Sequence, residues 1–181
     1  QSKSVHITSS DFVINLYLLA LPIIFRMLFF YCEYHSLMTS IVNQALAEVE
    51  ERLNASNLQM ILTNRAESGF VMADGQLLWR VLENLLVSVS KYALPGSRVY
   101  MDIYDAEDKT VLEIKNMSKD PLNIDAEELM ERFKRGDESR NTEGSGLGLN
   151  IAKSLMEVQK GHMELKLDGD VFQVTLFFRK A

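Results

Sequence analysis

The sequence predicts an α+β fold, a two-layer sandwich in which helices cover one face of a mostly antiparallel sheet. Segments that alternate apolar and polar residues occur in adjacent pairs joined by short polar turns, which is typical of hairpins. Segments with one apolar stripe at helical spacing lie between these pairs. Because the strands pair locally and do not alternate one by one with helices, an antiparallel sheet with helices on one side is favoured over a parallel sheet.

The amino-terminal part of this fold begins with an amphipathic helix. Its apolar residues recur every four positions, at Leu37, Ile41, Ala45, Val49 and Leu53. A strand is predicted next, at residues 57–62, with the sequence "NLQMIL". Asp74 is a suitable N-cap for a second helix at residues 75–94, which Pro95 and Gly96 end.

The carboxyl-terminal part is predicted from the same patterns. Two antiparallel hairpins are expected, at residues 97–116 and 162–178, because each range contains two alternating segments around a polar turn. Two helices are expected between the hairpins. One is short, at residues 125–133, and the other runs from a glycine-bearing stretch to Lys160.

Residues 1–36 differ in composition from the rest, so we divide the chain into this apolar helical segment and a domain at residues 37–181. The stretch from Phe12 to Cys32 is long enough to span a bilayer, and membrane contact through residues 11–34 is one expectation. An arginine near its middle is costly in lipid. A helix packed on a partner or left over from a dimerisation region, or a sequence artefact, is the alternative.

Composition and charge exclude several classes of function. The net charge of −6 argues against a general nucleic-acid binder, because phosphate contacts need clustered lysine and arginine. The single cysteine, Cys32, cannot form an internal disulfide, which indicates a reducing environment. No group of cysteines and histidines has metal-ligand spacing. At 181 residues, the chain has the length of one domain with a short additional segment.

The helix that follows Asp74 carries two stripes of different character. One stripe is apolar and is predicted to lie in the core; it contains Leu78, Leu82, Leu85 and Val89. The other is polar and places Asn84, Ser88 and Lys91 at positions i, i+4 and i+7, on one side of the helix. A polar stripe of this kind is either a solvated face or one wall of a binding site.

Three glycines at alternate positions, Gly144, Gly146 and Gly148, lead directly into a helical pattern. The first backbone N–H groups of a helix are unpaired and carry partial positive charge, so such a helix start binds anions. Glycine allows phosphate oxygens to approach the backbone closely. The stretch is neither a dinucleotide fingerprint, which follows an apolar strand, nor a Walker loop, which ends in Gly-Lys-Ser/Thr. The alternative interpretation is a flexible surface loop.

The stretch before these glycines is rich in cations, which are Arg132, Lys134, Arg135 and Arg140. Cations in a loop beside an anion site are typical of a lid that closes over phosphates, with Gly136 as a hinge. The alternative is a solvated charged loop.

Taken in order, these segments resemble the catalytic ATP-binding domain of two-component sensor histidine kinases, which belongs to the Bergerat-fold (GHKL) ATPase superfamily. The segment "LLWRVLENLLVSVSKYALPGSRVYM" resembles the N-box helix and its following strand. "LEIKNMSK" occupies the place of the G1 box, "LMERFKRGD" resembles the F-box, and "SRNTEGSGLGLNIAKSLMEVQKG" resembles the G2 box. The likeness covers residues 37–179.

The resemblance implies cofactors, ATP and Mg²⁺, and a set of site residues. Asn84 holds the first N-box position, which places Mg²⁺ or water near the γ-phosphate, and Asn84 with Lys91 is implied in catalysis. Asn84 and Ser88 are the implied metal ligands, and Asn116 stands where an aspartate accepts a hydrogen bond from the adenine amino group. The residues assigned to nucleotide binding are Asn84, Ser88, Lys91, Tyr92, Asn116, Phe133, Arg135, Arg140, Gly144, Ser145, Gly146, Leu147, Gly148 and Leu149.

Four positions depart from the family pattern. Ser88 replaces the second N-box asparagine, and its shorter side chain reaches Mg²⁺ less directly. Asn116 replaces the G1 aspartate and keeps an acceptor oxygen. Ser118 and Asp120 replace G1 glycines, so the segment beneath adenine is expected to be stiffer. We therefore expect weaker Mg²⁺·ATP affinity than is usual for the family.

The implied reaction is transfer of the ATP γ-phosphoryl group to a histidine in two-component signalling. The acceptor is expected outside this chain, because His35 lacks the acidic residue and proline of the family motif. The implied partners are a histidine-bearing dimerisation hairpin and a response regulator, with a homodimeric kinase on the cytoplasmic side of the membrane. The alternatives are a degenerate nucleotide-binding scaffold without phosphotransfer and a kinase that acts on serine.

Overall fold

The computed structural model describes residues 35–122, 128–129 and 148–181. Its helices are α1 (Met38–Glu48), α2 (Glu50–Ala55), α3 (Gly75–Tyr92) and α4 (Gly148–Val158). Its strands are β1 (His35–Leu37), β2 (Gln59–Asn64), β3 (Phe70–Met72), β4 (Arg98–Ala106), β5 (Lys109–Met117), β6 (His162–Asp168) and β7 (Val171–Arg179). The apolar stretch at 12–32 and most of the helix predicted at 125–133 lie outside this part of the chain. Glu128 and Leu129 are described, and both are helical.

Five strands form one mixed sheet in the order β2-β4-β5-β7-β6. The predicted fold class is confirmed, because every neighbouring pair is antiparallel except β2 and β4, which are parallel. A parallel pair needs a long crossover connection, and here β3 and α3 supply it. Both predicted hairpins are present, as β4–β5 and β6–β7.

One face of the sheet is covered by helices and the other is open. Val99, Met101 and Ile103 on β4 are fully buried, whereas Tyr100 between them is 43% exposed. Since successive strand residues point to opposite faces, this alternation places the core on the helical side. The same alternation of buried and exposed residues continues on the neighbouring strand, because Met101 lies opposite the buried Ile114.

The first predicted helix was wrong at its start. Leu37 belongs to β1, pairs with Phe70 and is 39% exposed. The core-facing stripe therefore begins one residue later, with Met38 and Val42. The helix is also divided in two at Val49, although this residue is buried as predicted, with Ala45 and Leu53. The later start of the helix is caused by the pairing of β1 with β3, which holds the chain extended up to Leu37.

The second predicted helix, α3, has the expected cap and core. Asp74 Oδ1 accepts hydrogen bonds from the backbone N–H groups of Gln76 (2.8 Å) and Leu77 (3.1 Å), which pairs two of the unsatisfied donors of the first turn. The predicted apolar stripe is buried throughout, at Leu78, Leu82, Leu85 and Val89. The helix ends at Tyr92, two residues earlier than predicted, because Ala93 is extended and bridges Ser118.

In the described part of the chain, no helix combines the length and the apolar character that a bilayer crossing requires.

Asp105 ties three distant segments together at one end of the sheet. Its carboxylate accepts hydrogen bonds from Glu67 N (3.1 Å) and Thr110 Oγ1 (3.0 Å) and lies 3.4 Å from Lys180 Nζ. Burial acts to raise the pKa of Asp105, but these hydrogen bonds and the lysine charge outweigh it and hold the pKa below its usual value.

This lowered pKa predicts acid sensitivity. A carboxyl group whose pKa is lower in the folded state stabilises the fold above its unfolded pKa, and that contribution is lost as the pH falls through the folded pKa. At neutral pH we expect the Asp105→Asn variant to unfold about 1 kcal/mol more easily than wild type. Urea unfolding from neutral to acidic pH should show the difference shrinking towards zero. A difference independent of pH would contradict the assignment.

Candidate nucleotide site

The polar stripe of α3 meets the start of α4. A Cβ atom built on Gly148 would lie 3.1 Å from Ser88 Oγ, 3.4 Å from the Asn84 carbonyl oxygen and 3.6 Å from Asn84 Oδ1. A side chain at Gly148 would be crowded at these distances, so the two helices lie close together at this point. At Asn84 and Ser88, the polar stripe therefore adjoins the first turn of the helix that follows the glycines.

Hydrogen bonds within α3 fix the orientation of both polar side chains. Asn84 Nδ2 donates to the Arg80 carbonyl oxygen at 2.7 Å, which leaves Oδ1 directed towards α4 as an acceptor. Ser88 Oγ donates its proton to the Asn84 carbonyl oxygen at 2.8 Å, so the hydroxyl presents lone pairs. Both groups present oxygen atoms towards the start of α4. Oxygen atoms are the ligands that Mg²⁺ prefers.

Lys91 and Tyr92 form the last turn of α3. Lys119, which follows β5, donates through Nζ to the Lys91 carbonyl oxygen (2.6 Å) and through its backbone N–H to the Tyr92 carbonyl oxygen (2.9 Å). The same Nζ lies 5.7 Å from the centroid of the Tyr92 ring. The sequence analysis did not single out Lys119. The sequence contained one signal that the Lys91 carbonyl oxygen needs another partner. Residue 95, which would donate to it in a continuing helix, is a proline and has no N–H group.

Asn116 lies near the end of β5 and is only 5% exposed. Its Nδ2 donates to the Met117 carbonyl oxygen at 3.1 Å, and its Oδ1 is buried without a hydrogen-bond partner among the described residues. It lies opposite Val99 and Phe172, on the helical side of the sheet. An unpaired buried acceptor costs about 1–3 kcal/mol, so this oxygen is suited to a ligand that brings a donor.

The segment after β5 is tied to its surroundings at both ends. The backbone N–H of Ser118 donates to the Asp170 carbonyl oxygen at 2.8 Å, and Leu122 N donates to Asp170 Oδ1 at 3.4 Å. Ser118 also bridges Ala93, just beyond α3. The segment that follows Asn116 therefore connects the end of α3 to the turn between β6 and β7.

Leu149 is 2% exposed and lies in the core, so only its backbone can contribute to a site at the start of α4. Several predicted site residues lie outside the described part of the chain, and they are Phe133, Arg135, Arg140, Gly144, Ser145, Gly146 and Leu147. Within the described part, no three histidine, cysteine, aspartate or glutamate side chains cluster as a metal site.

A cavity of about 570 Å³ lies elsewhere, near the β4–β5 turn, and its lining residues are Arg65, Glu67, Tyr104, Asp105 and Glu113. Burial and the neighbouring Glu113 carboxylate raise the pKa of Tyr104 there. Since Asp105 pairs with Thr110 at the start of β5 and Asn116 lies near the end of that strand, the cavity is separate from the site.

Residues 73–180 match the family described as "Histidine kinase-, DNA gyrase B-, and HSP90-like ATPase". The match begins just before α3 and includes Asn84, Ser88, Asn116 and Gly148. The chain belongs to this family. Membership in this ATPase family implies ATP binding, and it confirms the superfamily that the sequence resemblance indicated.

Curated relatives of this chain indicate a narrower group. The chain is similar to the sensor histidine kinase HprS of Escherichia coli K12, with 33% identity over 108 residues that make up 59% of this chain and 24% of HprS. It is also similar to the heme sensor protein HssS of Staphylococcus aureus Newman, with 28% identity over 141 residues, 75% of this chain and 30% of HssS. These relatives support the assignment of the chain to the ATP-binding catalytic domain of sensor histidine kinases, and the matched part spans 24% of HprS and 30% of HssS.

Solved structures show the same fold. The catalytic domain of the histidine kinase ThkA superimposes with a TM-score of 0.68 at 20% identity, covering 81% of this chain and 94% of that domain. The histidine kinase AdeS of Acinetobacter baumannii gives a TM-score of 0.61 at 20% identity, covering 80% of this chain and 66% of that one. The Bergerat-type fold of this ATPase family is therefore present.

Proposed function

We propose that this domain binds Mg²⁺·ATP between α3 and the start of α4 and transfers the γ-phosphoryl group to a histidine on another polypeptide segment. The observation that carries the proposal is the contact of Gly148 with Asn84 and Ser88. This contact brings oxygen acceptors on one helix to the first turn of the other, and the backbone N–H groups of a helix start are suited to bind anions.

Each polar group has a defined task in this proposal. Asn116 Oδ1 accepts a hydrogen bond from the 6-amino group of adenine, since the oxygen is buried and needs a donor. Lys91 contacts the phosphates, and Tyr92 frames the pocket. The N–H groups that open α4 bind phosphate oxygens. Most of the rate enhancement would then come from positioning and charge neutralisation.

The oxygen ligands that this site offers suit a loosely held Mg²⁺. Asn84 Oδ1 and the lone pairs of Ser88 Oγ would hold it, and neither is a carboxylate. Mg²⁺ keeps several waters and is held largely by substrate phosphates in such sites. When bound, the ion neutralises charge on the phosphate oxygens. We therefore expect modest Mg²⁺·ATP affinity.

In the transfer, a nitrogen of the acceptor imidazole forms a bond to the γ-phosphorus while the bond between that phosphorus and the β–γ bridging oxygen breaks, which releases ADP. His35 lies in strand β1, paired with Met72, and we place the acceptor on a separate helical hairpin. ThkA has been solved in complex with the response regulator TrrA, which supports a regulator as the later phosphoryl acceptor. A homodimeric kinase on the cytoplasmic side of the membrane, where ATP is available, completes this proposal.

A nucleotide-binding scaffold without phosphotransfer is the second candidate. It is favoured by Ser88, whose short hydroxyl is already engaged with the helix backbone. Radiolabelled ATP and a supplied acceptor hairpin separate the two functions. Tight nucleotide binding with no labelled hairpin favours the scaffold, whereas a labelled hairpin supports the kinase.

Asn116 provides a test of base recognition. Calorimetry should show that wild type binds ATP about tenfold or more tightly than inosine triphosphate, which lacks the 6-amino donor and leaves Oδ1 unpaired. Asn116→Leu should remove this preference by weakening ATP alone. Asn54→Leu, on the exposed surface of α2, is the matched control and should bind like wild type. An ATP preference that survives in Asn116→Leu would refute the assigned role.

A further inference from the structure

The carboxyl-terminal end of α3 is held by residues distant in sequence. Its last carbonyl groups have no continuing helix to donate to them, since Pro95 lacks an N–H group and Gly96 N donates to Ser56 instead, at 3.0 Å. Ser56 Oγ also donates to the Ser90 carbonyl oxygen at 3.0 Å. Lys119 donates to the next two carbonyls, its Nζ to Lys91 and its backbone N–H to Tyr92.

The ammonium group of Lys119 does two things at once. It places a positive charge at the negative end of the α3 dipole, which is favourable within the last turn of a helix. It also lies 5.7 Å from the centroid of the Tyr92 ring, within the range of a cation–π interaction. Tyr92 is 39% exposed, so its ring lies at the surface, and the Lys119 ammonium group is one of the groups that contact it there.

The position of Lys119 is itself fixed from both sides. Ser118 before it donates to the Asp170 carbonyl oxygen and bridges Ala93, and Leu122 after it donates to the Asp170 carboxylate. The backbone on both sides of Lys119 is thus already held, so only its side chain loses freedom when it reaches α3. The contact therefore transmits the position of the segment after Asn116 to the end of α3.

We propose that Lys119 is a positioning residue for nucleotide binding, which holds Tyr92 and the last turn of α3 in the geometry that receives the nucleotide. This inference rests on the nucleotide site proposed above. Lys119 acts through Tyr92, because its backbone N–H holds the Tyr92 carbonyl oxygen and its ammonium group, anchored on the Lys91 carbonyl oxygen, lies against the Tyr92 ring. Nucleotide affinity should accordingly depend on a lysine or arginine at this position.

The test is a double-mutant cycle measured by calorimetry with ADP. Lys119→Met keeps the length of the side chain but removes its donor and charge, and we expect about fivefold weaker binding, as befits one exposed cation–π contact and one hydrogen bond. Lys119→Arg should restore most of the affinity. Lys166→Met, on the open face of β6, removes the same charge elsewhere and should bind like wild type.

Tyr92→Leu completes the cycle. If Lys119 acts through Tyr92, the double variant should bind ADP no more weakly than Tyr92→Leu alone, because contacting residues are not additive. Multiplied losses would show a direct effect of the lysine charge on the nucleotide and overturn the inference, as would unchanged binding by Lys119→Met. Failure of wild type to bind ADP would instead refute the proposed nucleotide site.

Discussion

Replacing Asn84 with alanine is expected to lower phosphoryl transfer by about a hundredfold or more, the loss typical when one preorganised polar group at a reacting centre is removed. Asn84 Oδ1 is aimed at the start of α4 because its amide nitrogen is held by the Arg80 carbonyl oxygen. Alanine keeps the helix but removes this acceptor. ADP affinity should change much less, since ADP lacks the γ-phosphate.

Single-turnover transfer from radiolabelled ATP to a supplied acceptor hairpin measures this effect, and calorimetry with ADP measures binding. Gln76→Ala is the matched control, since Gln76 is an exposed residue in the first turn of the same helix. Its transfer rate should equal that of wild type. A transfer rate for Asn84→Ala within a few-fold of wild type would exclude Asn84 from catalysis.

The second large effect is expected at Gly148. Even a Cβ atom there would lie 3.1 Å from Ser88 Oγ and 3.4 Å from the Asn84 backbone oxygen, and valine adds two further methyl groups. Gly148→Val should therefore push α4 away from α3, lower the free energy of unfolding by about 2–3 kcal/mol and weaken nucleotide binding more than tenfold. Urea unfolding and calorimetry with ADP measure these changes.

Two further variants separate steric crowding from a general effect of valine on helices. Lys153→Val introduces the same side chain at an exposed position of α4 and should cost well under 1 kcal/mol. In the second, Ser88→Ala combined with Gly148→Ala should recover stability that Gly148→Ala alone loses, because the nearest atom has been removed. No recovery in the double variant would show that the backbone of α3, and not Ser88, sets the contact.

The sequence predicted those parts of the fold that depend on neighbouring residues. Asp74, the apolar stripe of α3 and both hairpins follow from local periodicity and turn chemistry, and the structure confirms them. The start of α1 was wrong because the position of Leu37 depends on pairing with Phe70, far along the chain. Local patterns contain no information about such a partner.

The same distinction applies to the site. The spacing of Asn84 and Ser88 placed both on one side of a helix, and the glycines before α4 indicated an anion site. Their meeting at Gly148 is a tertiary contact that spacing alone does not establish. Lys119 was missed because its partner on α3 is 28 residues earlier in the sequence and depends on the path of the chain after β5. The resemblance to a known family supplied the order of motifs, not this contact.

The parallel pairing of β2 with β4 has a consequence for assembly, because the crossover that permits it contains α3. Because α3 lies between β2 and β4 in the sequence, the pairing of these two strands also brings α3, with Asn84 and Ser88, onto the helical face of the sheet. Gly148 follows the β4–β5 hairpin in the sequence, so its contact with Asn84 and Ser88 brings together residues on either side of that hairpin. The proposed nucleotide site is therefore completed only when segments that are distant in sequence have packed together, and binding of a nucleotide would report that α3 and α4 have reached their places.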